Sequence, residues 1–153
     1  MAKRKPRPPE PEILVAAIEG MESTYYISEL RGEVRHVDDE AILDIVGRIE
    51  RHDRRRSQYL GQRIEISLVC ARSFGAEAST TPTGRPFLMS VQLRKGACSL
   101  MAYLPADAFW SLPAMISSGA VTHVEARFDK PRYGSGDLQS LYFATASKLD
   151  EIE

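Results

Sequence analysis

The densest run of chemistry-bearing side chains lies between Arg48 and Arg63. Arg48, Arg51, Arg54, Arg55, Arg56 and Arg63 stand there against only Glu50 and Asp53. Guanidinium groups grip phosphate bidentately, and an aromatic ring beside them can stack a nucleobase. Tyr59 and His52 fall within the run. Arg51, Arg54, Arg55, Arg56 and Tyr59 are therefore candidate contacts for nucleic acid or for a protein partner. The competing reading is a wet, charged turn or internal ion pairing. The segment from Glu10 to Asp44 supplies the opposite charge, with ten acids against Arg31 and Arg35.

A second constellation is His123, Glu125 and Arg127, which alternate with Val124, Ala126 and Phe128. Strand periodicity places the first three on one face, within reach of a hydrogen bond or a metal edge. No third ligand accompanies them, so they read as a polar, solvated strand face. Replacing Glu125 there is expected to change stability little.

Catalytic and cofactor signatures are missing from the sequence. It holds no Gly-x-x-x-x-Gly-Lys-Ser/Thr loop, no strand followed by Gly-x-Gly-x-x-Gly, and no Gly-x-Ser-x-Gly elbow. The glycines around Tyr133 join two β arms and lack the helix N-terminus that a phosphate cradle requires. Cys70 and Cys98 sit in apolar runs without a Cys-x-x-Cys spacing, as small core residues do. The expectation is no metal, no cofactor and no catalytic residue. An enzyme is the less favoured class.

The elements that must position these residues are mostly strands. Ile64, Ile66, Leu68 and Cys70 alternate with Arg63, Glu65 and Ser67. Two further arms, 87–93 and 98–104, flank a turn at Arg94, Lys95 and Gly96, where glycine supplies a positive φ. Asp107, Pro113 and Gly119 bracket one short helix near 106–118, with Asp107 as its cap and Pro113 as an interruption. The lone Trp110 is expected to pack against the sheet. Strands then follow at 120–128 and 138–146, joined by a turn-rich stretch from Asp129 to Asp137. Residues 41–51 fit both a helix and a strand, and Gly47 tips them to strand. Residues 13–20 and 24–30 read as two arms around Gly20 to Ser23. Residues 74–86 read as a long loop.

The fold class is mainly β, at the margin of α+β: a small antiparallel barrel or a two-sheet sandwich, OB-type barrels included. Residues 1–12 read as a flexible, basic, proline-rich tail, 13–148 as a single β-rich domain, and 149–153 as an acidic tail. The chain has 153 residues, a net charge of -1 and 43% hydrophobic residues. These values fit an ordinary globular protein and exclude a histone-like basic one. No apolar run reaches the length of a membrane span, and no signal core is complete. The expected location is the cytoplasm. The expected function is a non-enzymatic protein-interaction or assembly module, which binds a protein partner or itself. The alternative is a single-stranded nucleic-acid-binding domain using the Arg48–Arg63 loop.

Overall fold

The computed structural model describes residues 10–30, 32, 36–53, 57–71 and 88–152. Residues 1–9 of the tail expected at 1–12, the loop at 74–86 and Arg54, Arg55 and Arg56 lie outside the described residues, and Glu12 already belongs to the first strand. The elements are β1 (Glu12–Leu30), β2 (His36–His52), β3 (Arg63–Ala71), β4 (Leu88–Gln92), β5 (Cys98–Tyr103), α1 (Ala106–Ser117), β6 (His123–Phe128), β7 (Ser135–Ala144) and α2 (Ala146–Ile152). The strands close into a barrel in the order β1-β2-β3-β5-β4-β7-β6. Closure selects the barrel over the sandwich.

One seam departs from the antiparallel expectation. β3 and β5 run parallel, with Ile64 opposite Cys98 and Ile66 opposite Leu100. β4 makes this geometry: it descends beside β5 and turns at Gly96, whose φ is 76°. Both β3 and β5 then climb away from the same barrel end.

β1 corrects a second expectation. It is one strand of 19 residues rather than two arms about a turn. Its pairing with β2 shifts register between Ile18 and Gly20, so Glu19 is an extra residue in the strand. Glycine inside a strand marks a bulge or a close backbone approach as readily as a turn. Gly47 on β2 is the close approach: a Cβ there would stand 2.9 Å from the Ala17 carbonyl oxygen.

The interior is filled from every strand. Leu14, Leu43, Ile45, Ile49, Ile64, Ile66, Leu68, Val91, Leu100, Val124 and Phe128 are buried together. Phe109 and Leu112, three apart on α1, join this core from the helix. Trp110 points elsewhere and is 57% exposed, contrary to its expected packing on the sheet. Pro105 stands at the helix N-cap, Asp107 falls in the first turn, and Pro113 is accommodated without ending the helix. Gly119, with φ 81°, follows it. Where an acidic tail was expected, α2 forms and buries Leu149.

Candidate functional site

Strand directions sort the surface into two ends. The start of β1, the end of β2, the β4–β5 turn and the β6–β7 turn share one end. The far halves of β1 and β2, the end of β5, and α1 share the other.

At the first end, the described members of the arginine run are tied down. Arg48 bonds Glu19 through Nε at 2.6 Å and donates to the Gly61 carbonyl at 2.8 Å. Arg51 lies 3.6 Å from Asp53, and Arg63 lies 3.2 Å from Glu65. Tyr59 is buried and donates its hydroxyl to the Leu93 carbonyl at 3.1 Å. It offers no face on which a base could stack. The aromatic that the nucleic-acid reading placed beside these arginines is a plug in the barrel end.

A cluster that sequence spacing did not assemble surrounds His52. Its Nδ1 lies 2.7 Å from Ser57 Oγ and its Nε2 lies 2.9 Å from Glu12. The order Ser–His–Glu resembles a nucleophilic triad, but the surroundings are structural. The imidazole is fully buried, stacked on Phe128 and tilted against Tyr59. Ser57 Oγ also accepts the Tyr59 N–H at 3.2 Å. The array fastens the start of β1 to the end of β2. Glu12 and His52 are 40 positions apart in the chain, so only the register of β1 on β2 shows the pair.

The outer face of β6 is not the solvated face expected. Glu125 is 0% exposed. It sits in a cross-strand row between Val15 of β1 and Tyr142 of β7. Arg127 Nη2 reaches it at 3.4 Å while the guanidinium lies 5.2 Å from the Tyr142 ring centroid. His123 turns away from Glu125 to Glu50 at 3.0 Å and to Thr122 at 2.8 Å. The three residues thus form two separate pairings. Among the described residues, no three His, Cys, Asp or Glu side chains are grouped as a metal site.

The second end carries features that sequence analysis named only in part. Beyond Ile18, whose N–H reaches the Thr122 carbonyl at 2.9 Å, β1 pairs with β2 alone among the described strands. The distal halves of β1 and β2 therefore form an arm whose β1 edge has no partner among the described strands. Tyr25, Tyr26, Ile27 and Val37 on it are exposed. Tyr25 meets Trp110 edge-on at 6.3 Å and donates to Asp39 at 3.1 Å. These residues, with Ala41, Cys70 and Ala106, line a cavity of about 210 Å³ at the base of the arm. Burial and the nearby Asp39 carboxylate push the Cys70 thiol pKa up. In sequence, residues 19–44 hold eight carboxylates against Arg31 and Arg35, and of these Glu19 is bonded to Arg48.

No family model, curated protein or solved structure matches the chain. What the fold and surface define is a class: a closed seven-stranded mixed barrel with an acidic, aromatic arm. No helix among the described residues is long and apolar enough to cross a membrane.

Proposed function

We propose that this protein is a non-enzymatic assembly module that captures a protein partner by strand addition on the open edge of β1. The observation that carries this reading is the one-sided pairing of Glu19–Leu30. A row of backbone N–H and C=O groups about 40 Å long has no strand beside it among the described residues. Such an edge is a template for another chain, and natural proteins usually shorten, cover or blunt it. Here it is long, and exposed Tyr26 and Ile27 accompany it. The acidic arm selects the occupant: an extended segment rich in Lys or Arg, with an apolar or aromatic anchor for the Tyr25–Trp110 cavity. Two copies pairing edge to edge would bring two acidic arms together, so self-association is the weaker occupant.

The test is titration of a synthetic peptide of alternating Lys and Val, about eight residues long, into the full chain. The native protein should bind it, with affinity falling as salt rises. The same peptide N-methylated on alternate amides should not bind, because backbone pairing is lost. Glu22→Lys with Asp38→Lys should weaken the native interaction. Sedimentation of the protein alone as a dimer would replace the basic partner by a second copy. Equal binding of the N-methylated peptide would remove strand addition.

The second reading, single-stranded nucleic acid on the Arg48–Arg63 loop, is left without its aromatic once Tyr59 is buried. Support for a nucleic-acid site comes from a different part of the same barrel end.

A further inference from the structure

The β6–β7 connection closes through Arg132, Tyr133, Gly134 and Ser135. Arg132 and Ser135 exchange both backbone hydrogen bonds, at 2.9 and 3.0 Å. Tyr133 and Gly134 between them have φ of 53° and 81°. Two central residues with positive φ make the type I′ hairpin pattern, whose preferred first residue is Asn or Asp. A tyrosine in the left-handed region is strained by its Cβ and is uncommon. Packing does not explain it either, because Tyr133 is 101% exposed. The residue violates the local turn rule and gains nothing from the core. Such an outlier directs attention to function.

Its neighbours are basic. Lys130 and Arg132 belong to the same connection, and the β4–β5 turn lies alongside with Arg94 and Lys95. The two turns are bonded, Leu93 N–H to the Gly134 carbonyl at 2.8 Å. A Cβ at Gly134 would stand 3.4 Å from Arg94 Cγ. Arg94, Lys95, Lys130 and Arg132 make no ion pair among the described residues. An open cavity of about 750 Å³ is lined by Lys130, Arg132, Ser135 and Gln139, with Asp129 and Asp137. A second, of about 380 Å³, is lined by Arg63, Gln92, Arg94 and Ser99, with Glu65. The two open on either side of the Gln92–Ser135 pairing. Of these acids, Glu65 pairs with Arg63 and Asp129 accepts the Gln139 amide.

From this we infer that the β6–β7 and β4–β5 turns form a binding site for single-stranded nucleic acid, with Tyr133 as the stacking platform. A base lies on the tyrosine ring. Arg132, Lys130, Arg94 and Lys95 hold the flanking phosphates. Sequence readout is weak, because every base has a π-face. The acidic arm lies at the opposite end and repels a polyanion, which confines the strand to this corner.

The experiment is fluorescence anisotropy of a labelled oligothymidylate of about 20 nucleotides, at about 20 and 200 mM salt. Three proteins are compared: native, Tyr133→Asn and Tyr133→Trp. Asn suits the turn, so Tyr133→Asn should melt no lower than the native protein. It should bind roughly 5- to 150-fold more weakly, the loss of one base–aromatic stack. Tyr133→Trp should retain binding. Arg94→Ser should flatten the log–log salt slope by about 0.7. Native protein that does not bind at low salt, or Tyr133→Asn that binds as well as native, overturns the inference.

Discussion

Removing the Glu125 carboxylate should be among the more damaging single changes on the outside of this barrel. The side chain is wholly buried, and Arg127 stands 3.4 Å away. Stripping one partner from a buried ion pair costs about 3–5 kcal/mol when the other is left stranded. Arg127 is not fully stranded, because 27% of its side chain is exposed and its guanidinium lies over Tyr142. A charged hydrogen bond alone is worth about 1.5–3 kcal/mol. Glu125→Ala should therefore destabilise by about 2–3 kcal/mol, between those bounds. With a slope typical of small domains, the urea midpoint should fall by about 1–2 M. Glu125→Gln keeps the shape and should lose less. In an Arg127→Ala background the cost of Glu125→Ala should shrink by at least about 0.5 kcal/mol, since the two residues couple. A Glu125→Ala protein within about 0.5 kcal/mol of native would show that the carboxylate is solvated and refute the reasoning.

Phe128→Ala and Ile66→Ala each open a cavity in the barrel interior and should cost about 2–5 kcal/mol by chemical denaturation. Gly136→Ala should cost at least as much, because its Cβ would collide with the Asp129 carbonyl oxygen; a normal melting curve for this variant would contradict the β6–β7 crossing. Burial pushes the Cys98 pKa up, a backbone hydrogen bond of Arg94 partly opposing it, and that of Cys70 is raised too. Alkylation by iodoacetamide near pH 8 should be slower in the folded than in the urea-unfolded chain. The unfolded thiols ionise first, so their contribution to stability is full at neutral pH and is lost as pH rises into the alkaline range.

Much of the barrel wall is legible in the residues. The alternation of Ile64, Ile66 and Leu68 places β3 and its buried face correctly, and Gly96 marks the β4–β5 turn. Strand is the right choice for 41–51, all of which lies in β2, and Gly47 there serves a close backbone approach. Three features are not legible, each for a reason of distance. Gly20 has the local chemistry of a turn, and only the pairing of β1 across it shows a bulge. A parallel seam leaves no mark in either strand, since it depends on where the β4–β5 hairpin folds. The polarity of Glu125 predicts water, yet it is buried in a row between Val15 and Tyr142, and that row exists only through the strand register. The candidate sites follow the same pattern. The Arg48–Arg63 run was visible by type, but the burial of Tyr59 was not. Tyr133 stood in a recognised turn, and its exposure and positive φ emerge only from the backbone.

The barrel's last seam joins β1 to β6, and this sets a schedule for the protein during synthesis. β1 is complete once Leu30 has been made, but its partner begins at His123. At about 5–20 residues per second, the ribosome takes roughly 5–20 s to deliver that partner. Through this interval the whole outer edge of β1 is bare, including the proximal half that the finished barrel seals. The β1–β2–β3 meander can form early from neighbouring segments, but it has no lid over its apolar face until the C-terminal strands arrive. A nascent chain of this design is open to pairing with any extended segment nearby. Among the described strands, the distal half of β1 has no second neighbour in the finished molecule either, the condition that the proximal half has only while the chain is being made.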